Sequence, residues 1–519
     1  MAEELRTDVL VVGAGPSGLM LAVCLAKLGV DAVIVDGKDG PTRESRALGV
    51  QARSLEVYDQ LGLIDRVFAE RSPASGIAPA AGRGKPFGRI VFRAIGDGVT
   101  PFPEITVFEQ SRNERLLVDT LGEYGREVLW RHRLDGLEIG EIGEAGEAGE
   151  ASVTATLEGP DGPVTVRAKY CVGADGAHSR VREELGIPFE GITNEHSFYV
   201  ADAADVTGLL DGSINLRVTA DHFLLAFPMG GGRMRLLGVV RDRDLEADRT
   251  FAESSMRALV DREFGVEYTD SAWFTTYRLH HRLAARFRVG PCFLVGDAAH
   301  IHSPVGAQGM NTGLQEAHNL ACAFADVLVR GMPERRLDRY EVERRRVAQT
   351  LVATTDRVFA TVTSETRFAR FVRGRVIPVV GPVAIRLLPR LVGGRRVFGY
   401  VSQTRIHYRM SPRDVHARGR SRRDRRDRVV GRRLQWTGSN YDVLRSMTWQ
   451  VHGYGVYEPE VRAIAESVGL EGHAFPPDPF DRLDPSLVYL VRPDGFVAAA
   501  ASARAVPGGP PAFREQLAG

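Results

Sequence analysis

The chain has 519 residues, which predicts two or three domains rather than one core. Hydrophobic residues make up 44% and charged residues 26%, as in soluble globular enzymes, and 67 basic against 66 acidic side chains leave a net charge of +1, which excludes a global electrostatic pull toward nucleic acid or membrane. Four scattered cysteines (Cys24, Cys171, Cys292 and Cys322) form no CxxC pair, so neither a metal site nor a disulfide framework is expected, and the pattern fits a reducing, cytoplasmic setting.

The acidic start runs straight into residues 8–12 (DVLVV), an apolar run that reads as a buried parallel strand with no signal peptide before it. Residues 15–28 read as a helix with an apolar face and residues 32–36 (AVIVD) as a second strand, completing a βαβ start. Residues 137–151 contain the acidic near-repeat GEAGEAGEA, expected as an exposed hairpin loop. Residues 189–240 carry alternating and apolar runs, with a glycine-rich hairpin turn at residues 229–233, and predict an antiparallel second domain. A short strand at residues 293–295 leads through a glycine-rich loop to a helix over residues 310–329, and residues 337–375 read as mostly helical. The apolar stretch at residues 376–392 is interrupted by Pro378, Pro382, Arg386 and Pro389, so no membrane-spanning helix is expected. Residues 405–433 hold twelve arginines and a single aromatic ring of the Phe/Tyr/Trp kind, Tyr408; a solvated linker is the expected reading, against a nucleic-acid patch. Residues 441–517 read as a small further domain.

Three motifs carry chemistry. Residues 13–18 (GAGPSG) follow a strand and open a helix. In that context Gly13 permits a tight turn, Gly15 lets backbone approach a pyrophosphate, and Gly18 lets helix pack on strand, while the helix N-terminus faces negative charge. Asp36, about 20 residues on, ends the second strand where an acid takes ribose hydroxyls. This motif does not separate FAD from NAD. Asp175 and Gly176, followed by Ser179 and Arg182, end a strand and start a helix; alone they are a weak signal, and a capped strand-to-helix turn is the plain alternative. Asp297, in Gly296-Asp297-Ala298-Ala299-His300, is placed to bond a sugar hydroxyl, and the loop that follows feeds a helix N-terminus able to stabilise negative charge.

Taken together, GxGxxG, DGxxSxxR and GDAAHxxxPxGxxGxN resemble the class A flavoprotein monooxygenases, which include para-hydroxybenzoate hydroxylase, phenol hydroxylase and the polyketide-tailoring aromatic hydroxylases. The resemblance covers residues 8–412 and, more weakly, a C-terminal segment similar to the thioredoxin-like appendage of phenol hydroxylase relatives, here without cysteine. It implies an α/β chain: a Rossmann-like FAD-binding domain (residues 1–185 and 280–400, with part of the substrate domain interleaved near residues 75–110) and an inserted antiparallel-sheet substrate domain (residues 186–279). An Arg-rich linker (residues 401–433) and a thioredoxin-like domain (residues 434–519) would follow. It assigns Gly13, Gly15, Ser17 and Gly18 to the pyrophosphate, Asp36 to the ribose (where many relatives have Glu), Arg46 to the flavin side and Gln110 to the ribityl chain. Asp175 would serve FAD and the nicotinamide cofactor, Asp297 the ribityl hydroxyls, and Pro304, Gly306, Gly309, Met310 and Asn311 the loop under the flavin ring. The implied reaction uses NADPH, or NADH, to reduce FAD; O2 then gives a C4a-hydroperoxide that hydroxylates a phenolic ring, for preference a polycyclic polyketide, in a monomer or homodimer.

No catalytic side chain is assigned. His300 and His302 flank the flavin loop and read as packed structural residues. Arg217 and His222 lie in the substrate sheet and are candidates for the pocket, against the plainer reading of a solvated sheet face. Alternation puts Phe223, Leu225 and Phe227 on one face and His222, Leu224 and Ala226 on the other. Phe227 and Leu224, one from each face, are therefore both substrate candidates. A Baeyer–Villiger oxygenase and a catabolic phenol hydroxylase share the same motifs. A reductase, a halogenase (whose Trp-rich signature is missing) and a non-enzymatic flavoprotein are the readings from other classes.

Overall fold

The computed structural model describes residues 3–519 apart from residues 44, 46, 141–152, 246–249, 302–307, 392–393, 409–428 and 505–507. The first strand, β1 (Glu3–Val12), buries Val9, Leu10, Val11 and Val12, so its second half is covered on both faces and apolar without alternation. Helix α1 (Pro16–Lys27) opens on a proline, whose fixed φ suits the first turn and whose missing N–H costs nothing there. β2 (Ala32–Asp36) then pairs parallel with β1. Helices α2 (Ala52–Leu61) and α3 (Gln110–Glu123) follow, and β3 (Val128–Trp130) pairs parallel with β2. β4 (Gly162–Gly173) takes the other side of β1, also in parallel.

The chain next builds a second sheet from β5 (Phe189–Ala204), β6 (Ile214–Val218), β7 (Phe223–Gly230) and β8 (Arg233–Val240), covered on one face by helix α4 (Glu253–Phe264) and completed by β9 (Asp270–Ala284). Its order is β9-β5-β8-β7-β6, antiparallel throughout, and the strand Gly76–Ala81 adds to β6 in parallel from far earlier in the chain. β10 (Cys292–Leu294) returns to the first sheet beside β4, giving the order β10-β4-β1-β2-β3. Helix α5 (Gly309–Leu328) belongs to the same apolar core as α1, and α6 (Asp338–Thr363) follows it. Among the described residues no helix is long and apolar enough to cross a membrane.

The C-terminal unit comprises β11 (Gln450–Tyr454), α7 (Glu458–Glu466), β12 (Glu471–Phe475), β13 (Leu487–Val491), β14 (Val497–Ser502) and α8 (Pro511–Leu517). The strand order is β12-β11-β13-β14, with β11 and β12 parallel and the rest antiparallel. It docks on α2, every residue of which is buried, polar ones included. Arg53 donates to the Asp494 carbonyl at 2.7 Å, Gln60 to the carbonyls of Leu444 and Pro493, and Asp59 pairs with Arg445 at 2.7 Å.

The arginine-rich segment differs from a solvated linker at both ends. Residues 409–428 lie outside the described residues, but Tyr408 is buried, stacked on Phe496 with ring centroids 4.1 Å apart. Arg433 is buried too, its guanidinium 2.7 Å from Glu56 and 2.9 Å from the Val99 carbonyl. A buried guanidinium must find acceptors, and Glu56 on α2 supplies a carboxylate. The acidic near-repeat lies outside the described residues, between the paired strands Arg133–Ile139 and Val153–Gly159.

A second buried network joins the C-terminal unit to α5 and α6. Arg492 lies 2.6 Å from both Glu343 and Asp494, and Asn319 donates to both carboxylates, at 3.1 and 2.9 Å. Removing Arg492 strands two buried carboxylates, Glu343 and Asp494. Arg492→Ala is expected to lower stability by about 3–5 kcal/mol, read from the urea midpoint by circular dichroism. Burial alone would raise the Asp494 carboxyl, but Arg492 overrides it and holds it at about 2, below the ordinary 3.8. The depressed folded value means its contribution is complete above about pH 4 and is lost as pH falls toward 2. Asp494→Asn should remove roughly 2 kcal/mol of acid dependence from that window in unfolding measurements.

Candidate functional site

The C-terminal ends of β1, β4 and β10 converge on one point. Gly13 has φ +107°, and a Cβ there would lie 2.4 Å from the Ala174 carbonyl oxygen. A Cβ on Gly18 would lie 1.9 Å from the Gly13 oxygen. Gly15 differs: nothing lies within 4 Å of a Cβ built on it, and it caps α1 without any side-chain hydrogen bond. The first turn thus presents backbone toward open space, a cradle that fits a pyrophosphate. Ser17 is turned the other way, its Oγ lying 2.5 and 2.2 Å from where Cβ atoms on Gly296 and Gly313 would stand. Its side chain is the spacer between α1, the third motif and α5.

Asp36 is folded back onto this loop. Its Oδ2 accepts the Ala14 N–H at 2.6 Å and its Oδ1 the Lys38 N–H at 2.8 Å. The short side chain pins the glycine turn to the end of β2 and keeps lone pairs for a further donor. Lys38 bridges Asp36 and Glu114, 3.8 Å from each. Glu114, fully buried on α3, also accepts the Thr42 N–H at 2.7 Å and the Gln110 amide at 2.9 Å. Gln110 in turn accepts the Ala47 N–H at 3.2 Å. Arg46 lies outside the described residues, but its neighbour Ser45 is bonded to Ser111 at 3.0 Å, so the segment that carries it is tied to α3. The sequence reading passed over Glu114 and Lys38; the signal for Glu114 was its place four residues after Gln110 on one helix face.

In the second motif, Asp175 Oδ2 accepts the N–H groups of Arg180 (2.7 Å) and Val181 (3.2 Å), and Ser179 Oγ accepts that of Arg182 (3.0 Å). Burial raises the Asp175 carboxyl above the ordinary range, against the hydrogen bonds it receives. Arg182 donates to the Ala298 carbonyl at 3.0 Å, locking the second motif to the third. Asp297 stands exposed on the turn Gly296–Ala298. Beneath it, Glu316 accepts the Gly296 N–H at 2.9 Å and contacts His300 Nε2 at 2.9 Å. Burial alone would lower the His300 pKa, but Glu316 outweighs it and the net direction is upward. His300 is therefore a buried structural partner. His302, Pro304 and Gly306 lie outside the described residues. Gly309 and Met310 form the first turn of α5, and Asn311 ties that turn to Gly49 (2.7 Å) and Gln51 (2.8 Å).

The second sheet has two different faces. Leu224 and Ala226 pack with Tyr199, Met234, Leu236, Met256 and Leu259 under α4. Arg217 is spent on the carbonyls of Gly82, Gly84 and Phe264, and His222 pairs with Asp244 at 2.8 Å. Three of the four substrate candidates are thus corrected: Arg217, His222 and Leu224 are buried structural residues on or beside the α4 layer. Phe227 belongs to the opposite face, where it joins Met229 of its own strand and Leu48, Ala52 and Val107 from earlier in the chain. On that face, residues directly opposed across strands form rows: Phe223, Val239, Phe198 and Tyr277; Leu225, Leu237, Val200 and Thr275; Phe227, Arg235, Asp202 and Trp273. Among the described residues it is a largely apolar wall carrying one buried ion pair.

A Rossmann-type sheet, a glycine turn open at Gly15 and an exposed carboxylate at Asp297, joined to an antiparallel sheet, define a dinucleotide-cofactor oxidoreductase. Residues 6–355 match the FAD binding domain family. The chain is 33% identical over 415 residues to 6-methylpretetramide 4-monooxygenase of Streptomyces rimosus, covering 78% of this chain and 70% of that one. Its structure is similar to OxyS anhydrotetracycline hydroxylase from Streptomyces rimosus (TM-score 0.72, 28% identity, 96% of each chain). It also shares the fold of aklavinone-11 hydroxylase, solved with FAD and aklavinone (TM-score 0.74, 23% identity, 98% of each chain). The chain belongs to the FAD-binding aromatic monooxygenases of class A and is an FAD-dependent monooxygenase.

The two glycines separate folding from cofactor binding. Gly15→Ala is expected to fold with an unchanged melting temperature in the FAD-free protein while weakening FAD about 10- to 100-fold by fluorescence titration. Gly18→Ala, with no room for its methyl group, should lose both flavin content and soluble yield.

Proposed function

We propose that this enzyme hydroxylates a polycyclic phenol of the aromatic-polyketide kind, using NADPH or NADH and O2. The observation that carries the reading is the wall formed by the inner face of the second sheet. Leu225, Phe227 and Met229 pack with Leu48 and Ala52 on the flavin-domain side, and Phe, Val, Leu, Trp and Tyr side chains continue the wall beyond that contact. Such a wall suits a flat, largely apolar ring system. The substrates named for the relatives, 6-methylpretetramide and anhydrotetracycline, agree with it.

In this reading the backbone at Gly13, Gly15 and Gly18 receives the pyrophosphate, Asp36 the adenosine ribose, and Gln110 and Asp297 the ribityl chain. Arg46 and the residue 304–311 loop, with Pro304, Gly306, Gly309, Met310 and Asn311, lie beside the ring, and Asp175 orders the turn behind it. When bound, FAD accepts a hydride from the nicotinamide and delivers one oxygen atom of O2 to the substrate. The protein's part is to hold the ring system against the wall and keep water away from it. The C-terminal unit is proposed to be thioredoxin-like: a βαβ followed by an antiparallel ββα, ordered β12-β11-β13-β14, supports that reading. With no cysteine in residues 434–519, thiol redox chemistry is left out of this reading, and the unit is proposed to serve as a structural or dimer-contact element.

The test is the anaerobic rate of flavin bleaching by NADPH and by NADH, with and without phenols, naphthols and hydroxyanthraquinones. A strong acceleration by polycyclic phenols is the expected outcome. Flavin that neither nicotinamide reduces under any of these conditions overturns the reading.

A further inference from the structure

Among the described residues the inner wall of the second sheet holds one buried bidentate charged pair, and its geometry is one-sided. Arg235 donates through Nε to Asp202 Oδ1 at 2.6 Å and through Nη2 to Asp202 Oδ2 at 2.7 Å. This is a bidentate pair in which the side chains are 4% and 12% exposed. It uses two of the five guanidinium N–H groups. Arg235 Nη1 is buried and has no hydrogen-bond partner among the described residues. A buried cationic donor left without an acceptor costs free energy, so the group calls for a partner such as a water, an ion or a ligand.

The surroundings say what kind of partner. Arg235 sits in the row Phe227, Arg235, Asp202, Trp273, with its guanidinium carbon 5.2 Å from the Trp273 ring. Aromatic rings therefore bracket the pair at both ends of the row, and the neighbouring row is Leu225, Leu237, Val200 and Thr275. The row also lies at the flavin-domain end of the sheet: Phe227 and Met229 pack with Leu48 and Val107, and Arg233 reaches Glu109, the neighbour of Gln110, at 3.4 Å. A ligand that suits this place is flat and apolar and carries one oxygen rich in negative charge.

We propose that Arg235, held in place by Asp202, receives an anionic oxygen of the aromatic substrate, a phenolate or the enolate of a ring ketone, through Nη1. The inference rests on the reading of the substrate class above and adds the group that selects within it. Asp202 is a positioning residue: it fixes the guanidinium plane and removes the net charge that would otherwise be buried in the free enzyme. Rings lacking such an oxygen leave Nη1 unsatisfied and bind less well.

Alizarin (1,2-dihydroxyanthraquinone), whose visible spectrum reports ionisation of its phenol, is the probe. FAD-loaded wild type and Arg235→Gln are titrated with it between pH 5 and pH 9. The expected result is that wild type binds the dye as phenolate, lowering its apparent pKa below that of the free dye. Arg235→Gln should raise Kd about 10- to 100-fold and abolish the pKa displacement, with Arg235→Lys restoring part of both. A purely structural arginine would change the melting temperature and leave the pKa of the bound dye where it was. Where the single variant does not fold, Asp202→Asn with Arg235→Gln removes both charges and permits the same titration. Equal affinity and equal dye pKa in wild type and variants overturn this inference alone. Failure of wild type to bind alizarin or any other hydroxylated ring overturns the substrate reading and this inference with it.

Discussion

Backbone crosses backbone at the ends of β1, β4 and β10 with no room for side chains, and the rest of the molecule is arranged around that crossing. Gly13 lies against Ala174, Gly18 against Gly13, and Ser17 against both Gly296 and Gly313. Each contact joins a different part of the chain: the βαβ start, the second motif, the third motif and α5. Close approach brings the N-terminus of α1, the exposed Asp297 and the first turn of α5 to one edge of the sheet. Gly15 is left open, so the same packing that closes the core leaves a cradle that fits a pyrophosphate.

Around this point the carboxylates act as carpenters of backbone more than as free ligands. Asp36, Glu114, Asp175 and Glu316 each accept backbone N–H groups that would otherwise be stranded in loops or at a helix start. The same economy holds where the C-terminal unit meets α2, α5 and α6. Arg433 and Arg492 cross the boundary and find Glu56 and Glu343 in the interior. Buried pairs of this kind add little net stability over apolar packing, but they punish misplacement severely, so they fix how the parts sit together.

The second sheet divides its labour by face. One face is sealed by α4, and there Arg217 and His222 are consumed in holding loops and turns. Among the described residues the other is largely apolar, with Asp202 and Arg235 as its buried charged pair, and it packs on Leu48 and Val107 through Phe227 and Met229. Alternation along β7 separated Leu224 from Phe227 correctly, but period two does not say which face is covered by a helix. That depends on α4, which lies some thirty residues further along the chain.

By itself the sequence determined the βαβ start, the three motifs and their order, because local turns and apolar runs obey short-range rules: glycine where φ is positive or space is absent, unbroken apolar runs where both faces are covered. It also carried the family resemblance, since those motifs are contiguous. Only the tertiary structure decided that Asp36 folds back on Ala14, that Ser17 is a spacer, that Arg433 is buried rather than solvated, and that Arg235 meets Asp202 on the apolar face. These facts depend on partners tens to hundreds of residues away, and a charge read in sequence carries no mark of whether a distant carboxylate will be there to receive it.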